Sequence, residues 1–299
     1  MEAAMAERDS WELEEGAEIA AGRSVLKLLG GGHVYEAYLV WDDRLFSIMV
    51  AKVLRPGETE DERSLRGLRR EAEAFERLAH PVLLRGFGAS LEGPYPHVLL
   101  EHLEGPTLSR LIRRGGPLAL EQALPLLLHV ASALHYMASE DMVHLDVKPD
   151  NIVMGIPPRL IDFSLVRSVE RARRIERPIG TNAYMPPEQC APHEAGAIGP
   201  ASDVWGLGAT AFHALSGDRP FSRPEAEDDE APGAARFPQL AEEPKPLPDH
   251  VPTELAEAVM ACMRKAPEER PAAAEVALSL QPLVAALPEK ARLGGRGGR

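Results

Sequence analysis

The spacing of apolar and polar positions divides the chain into a strand-forming first third and a helix-forming remainder. From Val25 to Val53 the residues favour short strands, with β-branched and aromatic runs at Val34–Trp41 and Leu45–Val53 separated by the turn signal Asp42-Asp43-Arg44. This predicts a small antiparallel sheet. Glu60 to Leu78 is charged and free of Pro, and it sets Leu65, Leu68, Ala72, Phe75 and Leu78 at intervals of three and four, the mark of a helix with one apolar stripe. His80-Pro81 closes that helix, because a residue before proline is pushed out of the helical region. Strands around Val82–Gly88 and His97–Glu101 complete the first lobe.

After Gly105 the character changes. Leu120–Ser139 is rich in Leu and Ala and reads as a helix buried nearly all round, with Pro125 either kinking it or marking its start. Ala201–Ser216 and Thr253–Lys265 are further helices, whereas Ser222–Pro252, dense in Pro, Asp and Glu, reads as an irregular surface insertion. No repeat at intervals of 20–50 residues is visible. The expected organisation is an acidic tail over 1–18, a sheet lobe over 19–102, a helical lobe over 103–286 and a flexible tail over 287–299. The fold class is α+β.

Composition narrows the partners. Lys and Arg number 33 against 46 Asp and Glu, a formal charge of −13, which argues against a broad face for nucleic acid or anionic lipid. Cys190 and Cys262 are too few for a disulfide framework or zinc cluster and read as buried free thiols. The first residues lack a secretory pattern, and no apolar run approaches the ~20 residues that span a bilayer. A cytoplasmic location is the expectation; oligomeric state is not encoded legibly.

Candidate chemistry clusters in VHLDVKPDNIV, where Asp146, Lys148 and Asn151 stand in the order D-x-K-x-x-N, and in RLIDFS, where Asp162 follows eleven residues after Asn151. Phosphoryl transfer needs little else: metal ions and a cation on the phosphates, and a carboxylate beside the incoming hydroxyl. Here the chain resembles the eukaryotic-type serine/threonine protein kinase family, in a bacterial-like form. The resemblance implies a bilobal kinase-like fold using ATP and Mg²⁺, with a small antiparallel-sheet lobe carrying one helix and a larger helical lobe. Asp146 would take the substrate hydroxyl proton, Lys148 would neutralise the γ-phosphate, and Asn151 and Asp162 would hold Mg²⁺. Lys52 in MVAK would reach the α- and β-phosphates with Glu71 as its partner ion. Leu100 would lie behind the adenine, backbone groups of Glu101 to Leu103 would bond it, and Val34 and Ala51 complete the nucleotide set. MPPE carries Glu188, which would pair with Arg270, and Asp203 in SDVWGLG would brace the catalytic loop. Lys148 and Thr181 in GTNAYMPPE resemble the branch that phosphorylates Ser and Thr of proteins.

Three departures stand out. Gly30, Gly31 and Gly32 lie where the family has G-x-G-x-x-G-x-V, but Gly30 to Val34 spans four steps instead of seven, which implies fewer N–H groups over the phosphates and weaker ATP binding. Ser164 follows Asp162-Phe163 where Gly is usual. Leu145 replaces the Arg that pairs with a phosphate on the activation segment, while Arg167, Arg171, Arg173, Arg174 and Arg177 point to an acidic partner, a substrate or the chain's own Glu7–Glu18. The alternative to an active kinase is a kinase-like module that binds nucleotide or partners without useful turnover.

Overall fold

The computed structural model describes residues 10–224 and 233–288. They form two compact units, the first containing the described residues up to Ala79 with Leu84–Glu104, the second containing His80–Leu83 and those from Gly105 onward.

The first unit holds β1 (Glu18–Ala20), β2 (Arg23–Gly31), β3 (Tyr35–Asp42), β4 (Ser47–Leu54), α1 (Glu62–Arg77), β5 (Gly86–Ser90) and β6 (His97–Glu101). The sheet is antiparallel throughout, in the order β1-β2-β3-β4-β6-β5. Every second residue of β3 is buried, and a one-residue slip would expose that set, so the register with β4 is fixed at Tyr35↔Leu54 through Asp42↔Ser47. Two of the buried residues are acids, and each is compensated. Asp42 accepts from Arg23 at 2.7 Å, and Glu36 accepts from Arg55 at 3.0 Å and from the Tyr38 hydroxyl at 2.8 Å. Asp61 caps α1 by accepting from the Ser64 N–H at 2.7 Å, and the helix buries Leu68, Glu71 and Ala74.

Two expectations change in this unit. The strand sought at Val82–Gly88 begins only at Gly86, because the Val82 carbonyl accepts from the Leu160 N–H at 2.7 Å and Leu83 bridges to Leu160 within the second unit. The acidic stretch up to Glu18 is no tail over its described part. Trp11 donates its indole N–H to the Leu54 carbonyl at 2.7 Å and meets Tyr95 edge-on at 4.7 Å, and Leu13 and Ala17 pack on the core of Ile19, Val25, Tyr38 and Leu99. Net charge concealed the two large apolar side chains. Residues 1–9 lie outside the described residues.

The second unit holds α2 (Leu108–Gly115), α3 (Leu120–Ser139), β7 (Met142–Val143), β8 (Ile152–Val153), β9 (Arg159–Leu160), β10 (Arg167–Ser168), α4 (Val169–Ala172), α5 (Pro187–Cys190), α6 (Pro200–Ser216), α7 (Gly233–Arg236), α8 (Thr253–Cys262) and α9 (Ala273–Ala285). Its core forms where α3 packs against α6 and α9. Pro125 lies inside α3, so it does not mark the start. α2 and α9 have no counterpart in the periodicity reading. In Ser222–Pro252 the described part is anchored: Phe237 is buried, and Gln239 donates to the carbonyls of Asn182 and Met185 at 2.7 and 3.0 Å. Residues 225–232 and 289–299, where the insertion and the C-terminal tail were sought, lie outside the described residues. No helix among the described residues is long and apolar enough to cross a membrane.

Candidate active site

In the first unit, Lys52 leaves β4 beside Ala51, and its ammonium donates to both Glu71 oxygens at 2.8 and 2.9 Å. Glu71 is 1% exposed, so this is a desolvated pair that fixes α1 against the sheet. The Tyr35 ring lies 4.6 Å from the same ammonium. Ala51 and Leu100 are buried, and Val34 and Leu103 are half-buried. Glu101 uses its N–H on the Arg85 carbonyl at 3.0 Å, which shifts any ring-bonding N–H in the expected Glu101–Leu103 set to a later position.

The triple glycine closes a tight hairpin. Gly30 and Gly31 pair with Ala37 and Glu36 in the β2–β3 ladder, and Gly32 donates its N–H to the Tyr35 carbonyl at 2.9 Å. A Cβ on Gly31 would meet that carbonyl oxygen at 2.6 Å, so the turn itself demands glycine. Arg55 clamps the hairpin by donating to the Gly32 carbonyl at 2.8 Å.

In the second unit, β7 leads into the loop bearing Asp146, Lys148 and Asn151. Lys148 donates to Asp146 Oδ2 at 2.7 Å and to Thr181 Oγ1 at 2.5 Å, and Thr181 donates in turn to Asp146 Oδ1 at 2.8 Å. Asn151 Nδ2 donates to the Asp146 carbonyl at 2.9 Å and to Oδ2 at 3.0 Å. The β8–β9 pairing brings Asp162 to this loop, since the Ile161 N–H donates to the Asn151 carbonyl at 2.8 Å. Asp162 and Leu145 both have left-handed backbone, with φ of 66° and 65°.

Support comes from α6. Asp203, fully buried, accepts from the His144 and Leu145 N–H groups, each at 2.7 Å. Burial pushes its carboxyl up to about 7, against the opposing pull of these two bonds. Gly206 lets α6 approach the loop, for a Cβ there would meet Val147 Cβ at 2.9 Å. His144 is buried with its Nε2 unpartnered, and desolvation lowers its pKa although Asp146 and Asp162 pull the other way. Glu188 accepts from Arg270 at 2.6 and 2.8 Å and from the Ser202 hydroxyl at 2.8 Å.

Leu145 joins Val143, Val169, Ala172 and Ile198 in a buried apolar cluster, so the departure noted in the sequence serves as an apolar seat for α4. Arg174 of the basic run pairs with Glu170 at 2.6 Å, both exposed, and Arg167 donates to the Leu165 carbonyl at 2.9 Å. Two contributors escaped the sequence reading. Thr181 had signified substrate class only, and Gln189, which ties the Leu145 carbonyl to that of Ile179 at 3.0 and 2.7 Å, carries no signal beyond following Glu188.

A family pattern described as protein kinase domain matches residues 23–279. Similar proteins include the serine/threonine-protein kinase PknB of Mycobacterium leprae, 28% identical across 81% of this chain and 40% of the relative, and PknB of Mycolicibacterium smegmatis, 29% identical across 82% and 40%. The serine/threonine-protein kinase PknA of Mycobacterium tuberculosis is 32% identical across 81% of this chain and 55% of its own length. The chain thus spans about two fifths of the PknB relatives and just over half of PknA.

Proposed function

The chain belongs to the protein kinase domain family, and from this we propose that it is a serine/threonine protein kinase, moving the γ-phosphoryl group of ATP to a Ser or Thr hydroxyl of a protein. The observation that carries the reading is the Thr181 hydroxyl seated between Asp146 and Lys148. A carboxylate that accepts a hydrogen bond from one hydroxyl, beside an ammonium, is the pairing that phosphoryl transfer to a hydroxyl requires.

In this reading Asp146 orients the acceptor and takes its proton, and Lys148 offsets negative charge building on the transferred group. Lys52, held by Glu71, would contact the α- and β-phosphates. The glycine hairpin and Val34, Ala51, Leu100 and the Glu101–Leu103 backbone would enclose the nucleotide base and sugar. Asn151 and Asp162 fit a magnesium ion: Asn151 gives its Nδ2 to Asp146, which leaves Oδ1 as an oxygen ligand, and Asp162 adds a carboxylate. Two protein ligands suit a magnesium ion that takes its remaining oxygens from phosphates and water. Bound Mg²⁺ would neutralise phosphate charge. The relatives' names as serine/threonine kinases support the hydroxyl class, the activation-segment arginines support an acidic partner, and ATP use with two free thiols supports a cytoplasmic setting.

The test is incubation with labelled Mg-ATP and basic or acidic protein acceptors, beside Asp146→Asn and Lys52→Met. Transfer by the wild-type chain alone is expected, with losses of about 10²-fold or more in each variant. Thermal stabilisation by ATP without transfer would reduce the protein to a nucleotide-binding module.

A further inference from the structure

The second unit contains a cavity of about 380 Å³ that the proposed chemistry does not use. Its walls include Arg113 of α2, Asp150 of the catalytic loop, Tyr184, Arg219, Arg223 and Lys245. Four of the lining side chains are cationic, and Asp150 and Asp218 are the carboxylates among them. That local excess of positive charge occurs in a chain whose formal charge is −13.

The cations lack a close carboxylate partner. Arg113 donates to the hydroxyl of Ser109, also a wall of the cavity, at 2.9 Å and approaches Asp150 only to 4.0 Å, with Arg113 and Asp150 both more than half exposed. The Arg219 guanidinium lies 6.0 Å from the Tyr184 ring centre, and Lys245 donates to the Arg219 carbonyl at 3.4 Å. Arg219, Arg223 and Lys245 form no ion pair among the described residues. Guanidinium groups in this state are matched to carboxylate or phosphate oxygens.

The position is as informative as the charge. Asp150 stands four residues after Asp146, and the Tyr184 N–H donates at 2.8 Å to the carbonyl of Thr181, whose hydroxyl bonds Asp146. Two walls are therefore tied to the proposed proton acceptor. Four residues of extended chain reach at most about 14 Å, so a group bound beside Asp150 is within reach of a peptide whose acceptor hydroxyl lies at Asp146.

We propose that this cavity is a substrate subsite for an anionic side chain, carboxylate or phosphate, carried within roughly four residues of the phosphorylated Ser or Thr. The proposal rests on the kinase reading and adds to it the class of substrate. It uses residues distinct from the activation-segment arginines.

The experiment uses the full chain and peptides with one central Ser in a Gly/Ala background, bearing a single Glu, phosphoserine or Arg moved position by position. An anion at one favoured position should raise kcat/KM by about tenfold, about 1.4 kcal/mol, mainly through KM, and Arg should lower it. The Glu and phosphoserine arms identify which anion is preferred. In Arg219→Glu/Arg223→Glu the ratio of acidic to neutral peptide should fall to about one or invert. A flat positional profile, or a preference that survives the double reversal, overturns the subsite. Fluorescence anisotropy of the labelled acidic peptide provides a readout independent of turnover. Binding lost on charge reversal without any transfer would keep the subsite and reject the kinase reading; transfer without acidic preference would do the opposite.

Discussion

Arg270 and Glu188 meet in a two-point ion pair, 2.6 and 2.8 Å long, with neither side chain reaching solvent. Arg270 also donates to the carbonyls of Arg264, Ala201 and Lys265, so one guanidinium joins α5, α6 and the segment before α9. Arg270→Ala strands a buried carboxylate, at a cost of about 3–5 kcal/mol. The expected thermal shift is on the order of 10 °C downward, and Arg270→Lys should recover only part of it, since an ammonium cannot match the fork. A shift of a degree or two in a melting experiment would show the pair to be dispensable.

Thr181 offers a sharper test of chemistry than of stability. Thr181→Val keeps the shape but deletes the bonds to Asp146 and Lys148. Each hydrogen bond to a charged partner is worth about 1.5–3 kcal/mol, so kcat/KM should fall roughly 10- to 100-fold while the melting temperature stays close to that of the wild type. Thr181→Ser should restore most of the rate. Unchanged turnover in the Val variant would remove the hydroxyl from the site.

Asp203 makes stability depend on pH with a defined sign. The folded state keeps this proton up to about pH 7, while an unfolded Asp releases it near pH 4, about the unperturbed value. Between those limits the folded state holds the extra proton, so the stability this group contributes is present at low pH and is lost as pH rises through the window. Urea unfolding at about pH 5 and about pH 8 should show the wild type losing ~2 kcal/mol more than Asp203→Asn. Parallel pH profiles for the two proteins would contradict this.

Removing residues 1–18 should damage the first unit instead of trimming a tail. The cut deletes the Trp11 bond to Leu54, its ring contact with Tyr95 and the packing of Leu13. Trp11→Ala alone should cost about 2 kcal/mol, roughly half the value for a fully buried Trp. A truncated protein that melts like the full chain would restore the tail interpretation.

The limits of what could be read in advance follow from range. Leu120–Ser139 was legible because a long apolar helix announces itself locally, and His97–Glu101 because a β-branched and Leu run is short and bounded. The grouping of Asp146, Lys148 and Asn151, with Asp162 beside them, was legible because they stand close together in a D-x-K-x-x-N order followed by a short strand. Trp11 and Leu13 were missed because carboxylates surround them and their partners Leu54 and Tyr95 are distant in sequence. The Thr181–Asp146 bond joins positions 35 residues apart. Periodicity has no access to that distance, nor to the cavity whose walls run from Ser109 to Lys245.

The glycine at position 206 has a consequence for anyone seeking a sturdier version of this protein. Glycine within a helix costs roughly 0.5–1 kcal/mol relative to alanine, so a stabilising library would replace it early. The added methyl would press on Val147, one residue beyond Asp146, and the gain in robustness would be set against displacement of the carboxylate we propose takes the acceptor's proton. Position 206 belongs on the list of sites to leave untouched.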